Sequence, residues 1–387
     1  MLCARRSSAH FATNLAEVCG SAQTTSEQQR LSGHWTHHAS LLPQTRVSAV
    51  KPIGGTMKSS SLRWLGILAT VALVIWSAPN DATAADATNK VLRIGTFSLS
   101  PTFGGPPALI LEELRKLGYV EGKNLVIEYR SANRDPARLP EVAAEVAKLK
   151  VDVILAIANS GALAARNATR TIPIVVWGAH GALEIGLVSN LGRPGGNLTG
   201  TESLAPEIDA KRVELLKEIV PGLTQLAVLY DAGDLGSPVH LKSAQSAGRA
   251  LGVSISTLEV RRAEDFDTVF AVATGKPLGG VLTFTSPLTF PNWQRIRDFA
   301  LANRLPTVCE WREMARAGCL FSYGPNIVEY SQRSAAQIDK VFRGTPVGEL
   351  PVEQMTRFEL VVNLNTAKAL GVTIPQSILL RADEVIQ

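Results

Sequence analysis

The chain has 387 residues, with 39 Lys and Arg against 34 Asp and Glu. Seven of the 39 basic residues but only three of the 34 acidic residues fall in residues 1–84, so the remainder is nearly neutral. A nearly neutral chain lacks the positive field expected of a nucleic-acid or membrane-surface binding protein. The length is sufficient for two domains.

The first 84 residues have the character of a leader. Residues 57–84 begin with two basic side chains, continue with an apolar stretch and end in small residues up to Ala84, which is the order of a secretory signal peptide. The apolar stretch is shorter than the ~20 residues that span a bilayer. We therefore expect cleavage near Ala84 and a periplasmic protein. Residues 1–56 are interpreted as a misassigned extension, with a genuine disordered extension as the alternative.

Apolar runs alternate with helical patterns from residue 91 onward. Strands are predicted at 91–99, 125–130, 151–158 and 172–177, and helices between them at 104–117, 135–150 and, after a polar break at 159–161, 162–169. Strands that are apolar throughout are typical of a parallel sheet buried on both faces. This part of the chain is predicted to form a doubly wound α/β lobe over 85–200.

The turn RPGGN at 193–197 is interpreted as the point where the chain leaves the first sheet. The alternation then restarts, with helices predicted at 207–220, 238–251, 265–273 and 293–303, and strands at 225–230, 254–260, 279–284 and 307–310. These elements predict a second α/β lobe over 201–321. Part of 322–387 is expected to return to the first lobe, with strands at 318–323 and 358–363 and helices at 327–343 and 366–370.

Several motifs resemble a known family. They are GYVEGKN at 118–124, VDVI at 151–154, RPGGNLTG at 193–200, SYGP at 322–325 and the tail from 358 to 386. Together they resemble the ABC-transporter substrate-binding proteins of the tryptophan/tyrosine-type group, over about residues 91–386. The resemblance implies a type I periplasmic-binding fold, in which two doubly wound parallel-sheet lobes hinge around an interlobe cleft.

The chain departs from this family in one place near the expected cleft. Many relatives carry an acidic Asp-Pro pair soon after the strand that corresponds to 172–177. This chain has GAHGA at 178–182 instead. The identity of a ligand therefore does not carry over from the family.

Ligands of parallel sheets bind at the carboxyl ends of the strands, which in this fold lie between the lobes. Six residues of the first lobe are therefore predicted to contact the ligand: Ser98, Ser100, Asn159, Ser160, Gly178 and His180. Ser98 and Ser100 could equally cap a turn, and Ser160 could be a helix N-cap. His180 is a lone ionisable group at a strand end, with a solvated loop histidine as the alternative. Trp177 is expected in the core.

The second lobe is predicted to contribute Asp231, Thr285, Ser286, Glu310 and Tyr323. A carboxylate such as Asp231 or Glu310 could pair with a ligand ammonium. A ligand carboxylate suits hydroxyls and the helix start at 159–161 on the other lobe. The alternative for Asp231 is an Asx turn with Gly233. Tyr323 could pack the hinge instead of lining the cleft.

No cofactor or metal site is predicted, because the two His and two Cys beyond the leader have no metal-ligand spacing. Cys309 and Cys319 could pair, or remain as buried thiols. The sequence contains no nucleophile elbow, zinc-protease motif or phosphate loop, so no enzyme is predicted. Ser160, His180 and Asp231 could be imagined as a triad, but Asp231 is expected in the opposite lobe.

These observations favour a periplasmic, monomeric, non-catalytic solute-binding protein. We expect it to capture a small polar ligand, an amino acid or a related carboxylate, for an inner-membrane ABC permease and its ATPase. Two alternatives stay open. One is a ligand-sensing module for a membrane receptor, and the other is a hydrolase built on the same lobes.

Overall fold

The structure, a computed structural model, describes residues 90–387. The predicted signal peptide and the segment before it lie outside the described residues. Within residues 90–387, no helix has the length and apolar character needed to cross a membrane.

The described chain alternates between strands and helices. The strands are β1 (Leu92–Ser98), β2 (Leu125–Ser131), β3 (Val153–Ile157), β4 (Ile174–His180), β5 (Leu198–Ser203), β6 (Gln225–Asp231), β7 (Ser254–Val260), β8 (Val281–Thr283), β9 (Thr307–Cys309), β10 (Phe321–Pro325), β11 (Glu353–Met355), β12 (Phe358–Asn363) and β13 (Glu384–Ile386). The helices are α1 (Pro106–Lys116), α2 (Leu139–Lys148), α3 (Ala158–Ala168), α4 (Ala205–Ile219), α5 (Ser237–Leu251), α6 (Asp265–Thr274), α7 (Trp293–Ala302), α8 (Arg312–Arg316), α9 (Ile327–Phe342), α10 (Leu364–Leu370) and α11 (Gln376–Leu379).

The strands form two sheets, each the centre of one lobe. The first sheet has six strands in the order β11-β5-β4-β3-β1-β2, all parallel to their neighbours. The second has seven strands in the order β13-β12-β10-β9-β8-β6-β7, and only β12 runs antiparallel to its neighbour β10. The predicted architecture of two mainly parallel α/β lobes is confirmed.

The chain passes between the two lobes three times: after β5, after β10 and after β11. The second passage leads to α9, which packs on β4 and β5 of the first sheet. The third leads back to β12 in the second sheet. Each lobe is therefore built from separate stretches of the sequence, as expected for a hinged pair of lobes.

The turn at 193–197 does not take the chain out of the first sheet, so that interpretation was wrong. Residues Leu198–Ser203 follow it and form β5, which pairs with β4. The strand was missed because LTGTES is polar, although all six of its residues are buried. Its polar atoms find internal partners: the Thr199 hydroxyl donates to the Leu350 carbonyl oxygen at 2.8 Å. The short elements β11, β13, α8 and α11 were also not predicted.

Helix α9 is fixed to the first sheet by a buried polar face. It begins at a cap, where the Asn326 side chain accepts from the backbone N–H groups of Val328 and Glu329. Further along the helix, the Ser334 hydroxyl lies 3.2 Å from the Thr201 hydroxyl, and Gln337 donates to the Gly200 carbonyl oxygen at 3.1 Å. These bonds hold the helix in register on β5.

Cys309 and Cys319 form a disulfide and are both fully buried. This decides between the two alternatives left by the sequence. The bond joins the end of β9 to the residues just before β10, ten positions later. It therefore ties down the connecting segment, which contains Glu310, Trp311 and α8.

Gly324 allows β10 to approach the backbone of Glu310. A Cβ atom at position 324 would lie 2.2 Å from the Glu310 carbonyl oxygen. Since backbone atoms cannot swing aside as a flexible side chain can, we expect Gly324→Ala to cost about 1–3 kcal/mol of unfolding free energy. The melting temperature should fall by on the order of 5 °C. Gly222→Ala is the control, because no atom lies within 4 Å of a Cβ there. Equal melting temperatures for the two variants would contradict the prediction.

Candidate functional site

Five buried ionisable side chains gather where the two lobes meet. We call them the interlobe charge cluster: His180, Asp209, Arg212, His240 and Glu310. His180 ends β4 of the first sheet, whereas the other four belong to elements of the second lobe. None is more than 5% exposed. Because an isolated buried charge is costly, such residues must compensate one another.

Arg212 is the centre of this cluster. Its Nη1 donates to Asp209 Oδ1 at 2.8 Å, across one turn of α4, and its Nε donates to the Tyr323 carbonyl oxygen at 2.8 Å. Its Nη2 lies 3.9 Å from Glu310 Oε1, too far for a hydrogen bond. Nη2 is buried and has no hydrogen-bond partner in the described part of the chain. Among the described residues, the N–H groups on Nη2 are therefore not used in any hydrogen bond.

Asp209 joins Arg212 to His240. Its second carboxylate oxygen lies 2.5 Å from His240 Nδ1. Burial disfavours the charged imidazolium of His240, but the adjacent Asp209 carboxylate outweighs burial, so the pKa of His240 is raised. The Asp209 carboxylate thus binds Arg212 of α4 and His240 of α5 at the same time.

His180 contributes a neutral ring from the first lobe. Its Nδ1 lies 2.7 Å from the Ser203 hydroxyl at the end of β5. Its ring meets the His240 ring edge to face, with centroids 4.8 Å apart. Burial and then the neighbouring His240 lower the pKa of His180 to about 3. The alternative of a solvated loop histidine is wrong, because only 5% of His180 is exposed.

Glu310 follows β9 and faces Arg212. Burial raises the pKa of Glu310, while the charges of Arg212 and His240 act in the opposite direction. Thr285, which follows the neighbouring strand β8, lies beside this carboxyl group. Glu310 is thus a buried acid beside a buried guanidinium.

An aromatic triad adjoins the charge cluster. It consists of Trp177 on β4, Trp311 after β9, and Tyr330 on α9. The two indole rings stack with centroids 5.6 Å apart, and the Tyr330 ring lies 5.1 Å from Trp177 and 6.0 Å from Trp311. Trp177 is buried as expected, but against the other lobe, and its Nε1 has no hydrogen-bond partner among the described residues.

The triad and the charge cluster form one continuous site. Trp311 is the next residue after Glu310. Burial raises the pKa of Tyr330 well above its usual value, and the Glu310 carboxyl adds to the effect. The interlobe boundary therefore offers opposite charges on one side and aromatic rings on the other.

Three of the predicted residues shape this site, but their side chains do not line it. Asn159 is fully buried, and its amide exchanges two 3.0 Å hydrogen bonds with the backbone of His180. Gly178 has φ 73° at the register shift between β4 and β5, a conformation that suits glycine. Tyr323 gives its carbonyl oxygen to Arg212, while its ring lies 5.9 Å from that of Phe358.

Other predicted residues are used in local turns. The Ser98 hydroxyl oxygen accepts from the Ser100 N–H at 3.0 Å, and the Ser100 hydroxyl donates to the Thr102 carbonyl oxygen at 2.8 Å. Ser160 is not a helix cap, so that alternative is wrong. Helix α3 begins at Ala158, which places Ser160 inside its first turn.

Asp231 forms a turn at the end of β6 and is bonded to Ser286, which follows β8. Asp231 Oδ1 accepts the Gly233 N–H at 2.8 Å, which is the Asx turn that the sequence left as an alternative, and Oδ2 accepts the Ser286 hydroxyl at 3.1 Å. Burial raises the pKa of Asp231 to about 6, with the charge of Asp234 adding to the rise. Both carboxylate oxygens already have partners.

Sequence reasoning missed Asp209, Arg212 and His240. All three lie on helices, whereas the rule of strand ends selects polar residues elsewhere. A signal was present on α4, where Asp209 and Arg212 are spaced by three residues on a helix that also buries Ile208, Leu215 and Leu216. No group of three or more His, Cys, Asp or Glu in residues 90–387 could hold a metal ion.

The family model described as ABC transporter substrate binding protein matches residues 107–386. The chain belongs to this family. The resemblance drawn from the motifs of the sequence is thereby confirmed. Membership of the family implies a small-molecule ligand and an ABC transporter as the partner.

Individual relatives agree with this assignment. The chain is 26% identical to a tyrosine-binding protein of Clostridioides difficile (strain R20291) over 321 residues, which cover 81% of this chain and 92% of that protein. It superimposes on a conserved domain protein from Vibrio cholerae with a TM-score of 0.71 at 25% identity, covering 76% of this chain and all of that one. A Streptococcus pneumoniae ABC domain in complex with L-Trp gives a TM-score of 0.70 at 21% identity, covering 76% and 99%. The type I periplasmic-binding fold is confirmed.

The raised pKa of Asp231 predicts how its replacement affects stability. With a folded pKa of about 6 against 3.8 ordinarily, the favourable contribution is present below pH 3.8 and is lost as the pH rises through 6. At pH 7.5 the buried, ionised carboxylate then costs on the order of 3 kcal/mol. Asn cannot ionise and can still accept from Gly233. Asp231→Asn should therefore melt at or above the wild-type temperature at pH 7.5, with a smaller difference at pH 4.5. A lower melting temperature at both pH values would contradict this.

Proposed function

We propose that the protein binds an aromatic amino acid, or a related aromatic carboxylate, between its lobes and delivers it to an inner-membrane ABC permease and its ATPase. The observation that carries this proposal is the junction of the interlobe charge cluster with the aromatic triad. Buried opposite charges suit the two ends of a zwitterion, and aromatic rings suit a planar side chain. The description of the C. difficile relative as tyrosine-binding supports an aromatic ligand.

Each end of the ligand has a favoured partner. The free Nη2 donor of Arg212 suits the ligand carboxylate, because a guanidinium recognises carboxylates through paired N–H groups. Glu310 suits the ammonium, since it lies in the same cluster and its carboxylate is too far from Arg212 for a hydrogen bond. Asp231, the other acid proposed for this role, is less favoured because one of its oxygens is occupied in a turn and the other by Ser286.

The contacts between lobes support capture by closure. His180 meets His240, and Trp177 meets Trp311, so each pair joins residues of different lobes. The lobes can separate at the three connecting segments and close again on a ligand. We infer a protein that acts as a monomer, since one chain supplies both halves of the site.

The arrangement also favours capture without chemistry. The imagined triad of Ser160, His180 and Asp231 is not assembled: His180 Nδ1 pairs with Ser203, while Asp231 is held by Gly233 and Ser286. A hydrolase would need a base bonded to its nucleophile. Binding and release of an unchanged ligand is the function these contacts suit.

Titration calorimetry with L-tyrosine, L-tryptophan and L-leucine tests the proposed ligand. We expect one of the two aromatic amino acids to bind more tightly than L-leucine. Glu310→Gln should weaken that binding roughly 10- to 100-fold, because a charge-assisted hydrogen bond to the ligand ammonium is lost.

Glu313→Gln is the matched control for that experiment. Glu313 lies three positions along the chain and also has a pKa raised by burial, but its charged neighbours are Arg312, Arg316 and Glu359. This variant should bind as the wild type does. Equal affinities of the wild type and Glu310→Gln would refute the role of Glu310, and preference for L-leucine would refute an aromatic ligand.

Export to the periplasm is part of the proposal, with processing near Ala84. The order of basic, apolar and small residues in 57–84 supports it. N-terminal sequencing of the exported protein should find a start close to Ala85. Residues 1–56 still attached to the exported protein would contradict this expectation.

A further inference from the structure

The contact between His180 and His240 depends on lobe closure. The two rings come from different lobes and lie 4.8 Å apart. The loop before α5 is also pressed against the first lobe: a Cβ atom on Gly236 would lie 2.5 Å from Asn159 Nδ2 and 3.1 Å from His180 Cβ. His180 is therefore buried by the second lobe, and separation of the lobes would uncover it.

The surroundings of His180 suit a neutral ring. Its Nδ1 partner is the uncharged hydroxyl of Ser203. The charged groups that face it are Asp209 and Arg212 from α4, Asp234 from the loop after β6, and His240 from α5.

Asp209 and Arg212 are already matched with each other, and Asp234 is engaged by a backbone N–H. Both oxygens of Asp209 are taken, one by Arg212 and one by His240. Asp234 accepts from the Gly236 N–H at 3.3 Å. Glu310 faces Arg212 and His240 from the end of β9. In the closed form the histidine pair can hold one proton, on His240 beside Asp209. A second proton on His180 would be buried against the cationic His240, and the ring bonds to the Ser203 hydroxyl rather than to a carboxylate.

We propose that the His180–His240 contact is a pH-sensitive latch, which holds the lobes closed while His180 is neutral and releases them when His180 gains a proton. The inference rests on the proposed function in one respect, namely that opening releases the bound ligand. It goes beyond that function because it makes capture depend on the acidity of the surroundings. The histidine stands in the GAHGA segment at 178–182, where β4 ends.

The direction of the effect follows from linkage. Once the lobes separate, His180 meets water and its pKa returns to about 6.5. In the closed form the pKa is about 3. Closure is therefore fully favoured above pH 6.5 and weakens as the pH falls below that value. Between pH 7.5 and pH 5.0 the uptake of one proton should reduce the closing equilibrium roughly 30-fold.

Small-angle scattering of the exported protein at pH 7.5, 6.0 and 5.0, with and without saturating L-tyrosine, tests the latch. The wild type should have a larger radius of gyration at pH 5.0 than at pH 7.5. His180→Gln should have the same radius throughout, because an amide can still bond to Ser203 but does not titrate. Ser203→Ala is the control, which removes that hydrogen bond and should keep the pH response.

Calorimetry at the same pH values gives a second readout. Affinity of the wild type for L-tyrosine should fall roughly 10- to 30-fold between pH 7.5 and 5.0, at about 1.4 kcal/mol per decade. The affinity of His180→Gln should change by less than about threefold over this range.

The outcomes separate the latch from the proposed ligand. A wild-type radius that does not depend on pH in either condition overturns the latch. A pH response that persists in His180→Gln assigns the titration to another group and also overturns it. Absence of L-tyrosine binding at every pH contradicts the ligand instead, and the ligand-free scattering then decides the latch alone.

Discussion

The burial of the Arg212 guanidinium is the constraint on which the interlobe site depends. An arginine stays charged at any physiological pH, and leaving such a charge buried without partners costs several kcal/mol. Asp209, Glu310 and the Tyr323 carbonyl oxygen must therefore be held around it. The disulfide between Cys309 and Cys319 restrains the segment that carries Glu310.

The two lobes contribute side chains of different charge to the interlobe site. All four permanently or partly charged partners of the cluster, Asp209, Arg212, His240 and Glu310, belong to the second lobe. The first lobe faces them with a neutral histidine and aromatic rings. The second lobe would thus bind the charged groups of a zwitterionic ligand, and the uncharged side chains of the first lobe would cover it. Such a division keeps the cost of buried charge within one lobe, where the partners stay together whether the lobes are open or closed.

Much of the fold could be predicted because its strands are apolar and its helices have one apolar face. Strands such as Ile174–His180 are buried on both faces of a parallel sheet, so the pattern is visible in the sequence alone. The strand Leu198–Ser203 is also buried, but it satisfies polar side chains through partners far along the chain, including Leu350. A local sequence pattern cannot reveal hydrogen bonds between residues so far apart in the chain. For the same reason, the lobe boundary was placed too early.

The rule of strand ends selected only part of the interlobe charge cluster. It gave His180 and Glu310 as candidates, whereas Asp209, Arg212 and His240 were missed because charged residues on a helix usually face water. The same rule selected Ser98 and Ser100, which are hydrogen-bonded within one turn in the structure. Which polar residues face one another across two lobes depends on tertiary packing, which a single sequence does not contain.

The three passages between the lobes also determine when each lobe can be completed during synthesis. The first sheet lacks its edge strand β11 until residue 355 has been made, and at that moment the second sheet still lacks β12 and β13. Neither lobe can finish well ahead of the other, and neither corresponds to one continuous stretch of the gene. A single recombination event cannot exchange one lobe for a relative's.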